Sequence, residues 1–339
     1  MTQIFLTGAS GYIGGQVLHE IVRSHPDFAV TVLVRDQVKA DRIVKAYPSV
    51  KTPVGDLDSA ELLEEEASKA HVVLNLAASK HIGAMEAIHR GLKRTTTNGP
   101  VYWIQISGAT ALAAAELISK TFEVGTPSPE LFDDVEDIKS YRSHIQQHAF
   151  RANDNYMLNI TQETPNIKTA VVLPPVIYGT GEGPVNQCSI QVPGLIRYAL
   201  KNGRVAQVGK GLNRWGNVHI RDLGRLFGAL VDQAVQKNTS EDIWGANGIY
   251  FTGVGETAFG ELAQKIARVA VEQGHISDGA VEELSKEGAD KVMDHGWVLL
   301  GTNARGRARR ARELLKWVPR EETLEATIPA AINEEVSKL

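Results

Sequence analysis

The stretch Thr7-Gly8-Ala9-Ser10-Gly11-Tyr12-Ile13-Gly14-Gly15 decides the fold. It follows the apolar run Ile4–Leu6 at once and opens Gly14–Ser24, where Val17, Leu18, Ile21 and Val22 recur at helical spacing. Glycines at 8, 11 and 14 permit a tight turn, a close approach of backbone to a pyrophosphate, and close packing of helix on strand. The N-terminus of that helix would offer free N–H groups and a positive dipole end to phosphates. A glycine-rich loop without a ligand is the plain alternative, and the agreement of strand, turn and helix argues against it. Thr7, Gly8, Ser10, Gly11, Tyr12, Ile13 and Gly14 are therefore the expected phosphate cradle.

Working outward, Val30–Val34, Val72–Leu76, Val101–Ile106 and Thr169–Leu173 are short, rich in β-branched residues and bounded by turn or polar residues. Such runs read as buried parallel strands. Their alternation with amphipathic stretches predicts an α/β protein with a Rossmann-type doubly wound parallel sheet over residues 1–175. From Val176 the pattern loosens, and residues 176–339 are expected to form mainly a smaller substrate-binding lobe with an interleaved boundary. The Gly- and Pro-containing segment Tyr178–Gln191 precedes a helix at Pro193–Lys201, and the Gly- and Asn-containing segment Gly209–Asn217 lies between it and a helix at Leu223–Val235.

The 339 residues carry a formal charge of −4, which gives no electrostatic case for nucleic acid or an anionic membrane. The one basic cluster is Arg305, Arg307, Arg309, Arg310 and Arg312. It reads as a solvated helix paired with Glu321–Glu325 or with Glu282, Glu283 and Glu287. Cys188 is the only cysteine, so an intramolecular disulfide is impossible and no metal site is expected. No signal-like leader and no membrane-spanning apolar run is visible. The expectation is a cytoplasmic protein with a small-molecule partner.

The second strand ends Val32-Leu33-Val34-Arg35-Asp36. An acid at that tip suits the ribose 2′-hydroxyl of NAD, whereas Arg35, with Lys39 a turn later, suits a 2′-phosphate. NADP is therefore expected ahead of NAD, with Asp36 as the counterweight. Asp56 and Leu57 follow a short strand and are placed to border an adenine. In Asn75-Leu76-Ala77-Ala78, the small residues after the strand leave room for a ribose-phosphate backbone.

Together these residues resemble the extended short-chain dehydrogenase/reductase family, which includes nucleotide-sugar epimerases and dihydroflavonol-type reductases. The resemblance takes in Thr7–Gly14, Asp56-Leu57, Leu76-Ala77-Ala78, Pro174-Pro175-Val176-Ile177-Tyr178-Gly179, Val218-His219-Ile220-Arg221-Asp222-Leu223 and Leu314-Leu315-Lys316-Trp317-Val318-Pro319. It implies a nicotinamide dinucleotide cofactor, with Pro174 and Ile177 among its contacts, and a homodimer through helices flanking the sheet. Members use a Tyr-x-x-x-Lys pair before the sixth strand and a Ser or Thr after the fifth, with Lys lowering the tyrosine pKa. This chain is expected to lack that pair. In a helix read over His144–Asn159, Gln146 and Phe150 fall at its positions, and Ala109 falls at the hydroxyl position.

Replacement acid–base groups are sought at His148, Tyr141 and Ser107. His148 could serve as an acid or base, and Arg151, on the same helix face, could hold a phosphate or carboxylate. Lys80, His81 and Tyr178 lie after strands, where open sheets bind ligands. Arg214 and Trp215 resemble the stretch that closes over substrate in extended members. His219 and Asp222 read as structural. The leading function is NADP(H)-dependent oxidation or reduction of a small alcohol or carbonyl. A non-catalytic dinucleotide-binding regulator and a non-redox isomerase, cyclase or lyase remain open.

Overall fold

The computed structural model describes residues 1–77 and 80–339. Six parallel strands make the central sheet: β1 (Gln3–Thr7), β2 (Ala29–Leu33), β3 (Val72–Asn75), β4 (Val101–Ile106), β5 (Ile167–Leu173) and β6 (Ile249–Phe251). Their order is β2-β1-β3-β4-β5-β6. Single bridges Thr31↔Lys51 and Val34↔Val54 extend the sheet beyond β2. This is the doubly wound order, with the strand sequence reversing beside β1.

The apolar runs are continuous because both faces are covered. Ile4 and Leu6 of β1 face one core with Val17, Leu18 and Ile21 of helix α1 (Tyr12–Ser24), while Phe5 faces the other. Helix Ile220–Val235 packs beside α1, and helices Ala60–Lys69 and Ile82–Lys93 pack together on the opposite side. The chain after residue 176 thus returns to the sheet through Ile220–Val235 and β6 before it completes the smaller lobe. That lobe combines helices Gln191–Asn202, Phe259–Glu272 and Leu324–Val336 with a parallel pair, Val205–Val208 and Val281–Leu284. Arg214–His219 is a strand between Val176–Tyr178 and Gly255–Ala258, not a loose segment.

The helix read over His144–Asn159 is two helices, Ile138–Gln146 and Ala152–Glu163. No Gly or Pro causes the break. The Asn155 amide instead reaches the carbonyls of Ile145, His148 and Arg151 at 3.2, 3.3 and 3.1 Å, satisfying backbone groups that the interruption exposes.

The arginine cluster is not one solvated helix. Gly306–Arg307 pairs with Phe132–Asp133 as a short strand, and only Arg310–Leu314 is helical. Arg309 therefore meets Asp133, Glu136 and Glu313, and Arg305 meets Glu256, in place of the acidic stretches expected. Arg310 is buried and donates to the Asp134 and Asp242 carbonyls. Asp134 accepts the N–H groups of Phe251, Arg309 and Arg310, yet burial still raises its pKa to about 6. Among the described residues no helix is long and apolar enough to cross a membrane.

Asp222 ties the C-terminal segment to the fold. Its buried carboxylate accepts Arg320 N–H at 2.7 Å, Glu321 N–H at 3.2 Å and the Arg225 guanidinium at 2.5 Å. The Trp317 indole donates to its backbone carbonyl. Asp222→Ala orphans these donors and should cost ~2–4 kcal/mol, read as a lower midpoint in urea unfolding; an unchanged midpoint would refute this role.

Candidate functional site

A cleft of about 770 Å³ crosses the carboxyl ends of the strands. At its centre, Gly8 has φ +85° and sits so close to β3 that a Cβ would meet Leu76 and Ala77 backbone at 2.7 Å. A Cβ on Gly14 would stand 2.1 Å from the Gly8 oxygen. Gly11, the N-cap of α1, carries no side-chain cap, and a Cβ there would meet only that same oxygen, at 3.2 Å. The helix N-terminus is thus uncapped and open at the point where a pyrophosphate would approach, and the residues present fit a dinucleotide. Beneath, Thr7 donates to Asn75 at 2.6 Å and Asn75 to Gln105 at 2.9 Å, a buried chain that ties β1, β3 and β4 together.

One end of the cleft is walled by Leu33, Arg35, Lys39, Gly55, Asp56 and Leu57. Asp36 is withdrawn from it. Its carboxylate caps helix Gln37–Ala46 through Lys39 N–H at 2.9 Å and binds the Lys39 ammonium at 2.6 Å, which holds its pKa below the usual range. Arg35 is exposed and makes no ion pair with any described residue. Asp56 accepts from Ser59 and Asp58 in a turn. Ser10, Tyr12, Ile13, Leu76 and Ala77 line the middle, and Ala78 lies outside the described residues.

The other end holds Ser107, Gly108, Ala109 and Thr110 after β4, and Pro174, Pro175 and Ile177 after β5. The smaller lobe adds Asn186, Cys188, Ser189, Ile190, Gln191, Trp215 and Leu299. Trp215 is fixed by its indole N–H on the Thr302 carbonyl at 2.7 Å, and Gln191 by donation to the Leu299 carbonyl.

Behind this end lies a buried charged cluster. Ser107 donates to Asp154 at 2.5 Å. The Arg151 guanidinium binds Asp154 at 2.7 and 2.8 Å and donates to Ser107 at 3.1 Å and Thr110 at 3.2 Å. Arg151 is thus engaged within the protein and does not line the cleft.

Neither His148 nor Tyr141 lines the cleft. The His148 ring is buried, with Nδ1 on the His144 carbonyl at 2.6 Å. Tyr141 packs against Phe132 and Phe251, and burial followed by the Asp154 charge pushes its phenol well up. A phenol so shifted cannot replace one whose pKa a lysine lowers. His81 caps helix Ile82–Lys93 and meets Asp58, and Lys80 stands outside the cleft. Tyr178 is buried and donates to the Glu322 carbonyl. Arg214 turns away, to Glu256 and Glu261. One Tyr-x-x-x-Lys spacing does exist, at Tyr47 and Lys51. It lies at the outer sheet edge, with the Tyr47 hydroxyl on His19 and the Lys51 N–H on the Val30 carbonyl.

Residues 4–244 match the NAD dependent epimerase/dehydratase family. The chain belongs to this family. An Acremonium protein named oxidase ucsJ is 34% identical over 344 residues, covering 99% of this chain and 98% of that protein. Among solved structures, dTDP-glucose 4,6-dehydratase from Bacillus anthracis in complex with NAD superposes with TM-score 0.66 at 16% identity, covering 100% of this chain and 97% of that one. UDP-glucuronic acid 4-epimerase from Bacillus cereus, in complex with UDP-glucuronic acid and NAD, gives 0.67 at 14% identity, with 100% of both chains covered.

Thr110, which lines the cleft, and Asp154, which lies behind Ser107, are residues that sequence reasoning did not select. An acid three residues after an arginine was the available signal, but the helix break that turns both toward Ser107 carries no sequence mark. Gly14→Ala must displace the Gly8 carbonyl at a cost of ~1–3 kcal/mol. It should abolish dinucleotide binding at micromolar concentrations in a calorimetric titration, and undiminished binding would refute the cradle.

Proposed function

We propose that this chain is an NADP(H)-dependent oxidoreductase that interconverts a small, uncharged alcohol and its carbonyl. The arrangement that carries this reading is the charge distribution of the cleft. Arg35, Lys39 and Asp56 are the only charged residues lining it among those described, and all three lie at one end. The glycine loop and α1 would hold the pyrophosphate, Arg35 the 2′-phosphate, and Asp56 and Leu57 the adenosine. That orientation brings the nicotinamide to Ser107 and Pro174. When bound there, the dinucleotide supplies hydride exchange with the substrate carbon.

NADP is favoured because the acid at the strand tip is occupied. Asp36, engaged by its helix N-terminus and by Lys39, is poorly placed to accept ribose hydroxyls. Arg35 remains available for a charge-assisted contact with phosphate. The dehydratase and epimerase named above hold NAD, so the preference rests on this corner alone.

The uncharged substrate follows from the far end. Ser107, Thr110, Gln191, Ile190, Trp215 and Leu299 offer hydroxyl, amide and apolar surface. Arg214, in the stretch that resembles the one closing over substrate, is drawn to Glu256 and Glu261 outside the cleft. A nucleotide-sugar diphosphate would therefore be desolvated there without a counter-charge. The hydroxyls of Ser107 and Thr110 are the protein groups placed to exchange hydrogen bonds with a substrate oxygen.

Arg35→Ala should weaken NADPH binding roughly 10- to 100-fold, the worth of a charge-assisted contact, and change NADH binding little. Fluorescence titration of both cofactors reads the difference. Equal losses, or a wild-type protein that prefers NADH, would reject the NADP assignment.

A further inference from the structure

We infer that Asp154 is the proton acceptor behind Ser107, so that Ser107, Asp154 and Arg151 form a relay which removes the proton of an alcohol substrate. The inference rests on the reading of the cleft as an alcohol–carbonyl site. Ser107 is the member that lines the cleft, and its hydroxyl already donates to Asp154, 2.5 Å away. A substrate hydroxyl can therefore meet Ser107 only as a donor to its oxygen. Arg151 donates to that same oxygen and stabilises negative charge that develops on it. Arg151 also donates to Thr110, whose hydroxyl lines the cleft and donates to none of the described residues, so it is free to donate to a substrate oxygen.

The step balances. The C–H hydrogen leaves as hydride to an oxidised nicotinamide dinucleotide, and the carbon–oxygen bond becomes double. The O–H proton passes to the Ser107 oxygen as the serine proton passes to the Asp154 carboxylate, from which water removes it. The reverse reduction requires Asp154 to be protonated first. Burial limits the pair's contact with water without closing it off, each side chain being near one-tenth exposed, which leaves the proton a way out to solvent. The arginine fork is the geometry that serves one carboxylate and two hydroxyls together. A cluster serving the fold alone would have no need to present two hydroxyls to the cleft.

Asp154 acts through Ser107, so the test separates proton transfer from packing. Wild type, Ser107→Ala, Asp154→Asn and the double variant are assayed with NADP⁺ on cyclohexanol, 1-phenylethanol and other small neutral secondary alcohols, and in reverse with NADPH on their ketones. NADPH affinity is measured for each by fluorescence. The relay predicts that either single change lowers kcat roughly 100-fold or more, with KM and NADPH affinity within about twofold. It also predicts that the double variant is no worse than the singles, because the residues act as a unit. Wild-type oxidation should fall about tenfold per pH unit on its acid side, and Asp154→Asn should lose that limb. Should Asp154→Asn not fold, Arg151→Lys replaces it and should lower kcat while the acid limb persists. Retention of rate or of the acid limb by a folded Asp154→Asn overturns the relay and leaves the oxidoreductase reading intact. NADPH binding without turnover of any of these substrates by wild type overturns the relay, and absence of NADPH binding overturns both.

Discussion

The architecture of the cleft depends on one contact between two backbone segments, Gly14 on the first turn of α1 and the carbonyl of Gly8. No side chain fits between them, since a Cβ on Gly14 would stand 2.1 Å from that oxygen. The contact fixes the angle at which α1 leaves β1 and so aims its uncapped N-terminus along the strand ends. The same helix registers the smaller lobe. Gly183 packs on Gly15, the Tyr12 hydroxyl donates to the Gly179 carbonyl at 2.5 Å, and Glu182 N–H donates to Gln16 at 2.8 Å. Residues 186–191, which continue from that strap, then wall the far end. Cofactor loop and substrate walls thus share one anchor, and movement of α1 would be felt at both.

The second constraint is electrostatic. A buried ion pair is weak support for stability, because desolvation of both charges offsets their attraction. Arg151 and Asp154 are nevertheless held there, and a helix is interrupted to place them. The carbonyls exposed by that interruption require a dedicated amide, Asn155, to satisfy them. Local sequence preference and structure disagree at this point, a pattern that concentrates where function sets the geometry. By contrast, the buried arginine at 310 donates to backbone carbonyls and meets no cleft. Burial of charge alone does not mark a site; what sets Arg151 and Asp154 apart is their place directly behind two hydroxyls that line the cleft.

How much was legible follows from how local each signal is. The strands and the glycine loop are written in adjacent residues: β-branched runs covered on both faces, and glycines at positions where a Cβ has no room. These were readable, as was the position of Arg35 at the tip of β2. The break after Gln146 is bridged by Asn155 reaching back along the chain, which periodicity cannot register, so His148 appeared to share a helix face with Arg151. The partners of Arg305 and Arg309 could not be read either. Asp133 and Glu136 are more than 170 residues away from Arg309 and meet it only because Gly306–Arg307 pairs with Phe132–Asp133. Asn75 and Gln105, polar residues ending two apolar strands, were a signal present in the sequence and not used.

These constraints combine in the one-sided charge of the cleft. Phosphates carry most of a dinucleotide's charge, and the groups suited to them, the α1 N-terminus and Arg35, lie away from the reacting end. The far end presents no formal charge of its own to the cleft among the described residues. On the proposed reading an uncharged substrate can therefore be desolvated there at little electrostatic cost, while charge that develops in a reaction would meet hydroxyls and amides with no competing formal charge, where a fixed donor has a large effect. In the proposed relay Arg151 would supply that donor from behind Ser107 and Thr110, with its charge already paired by Asp154. A cation placed directly in the cleft would stabilise bound anions at all times; one held a single hydroxyl away, as the relay has it, would act only on charge that develops on a substrate oxygen.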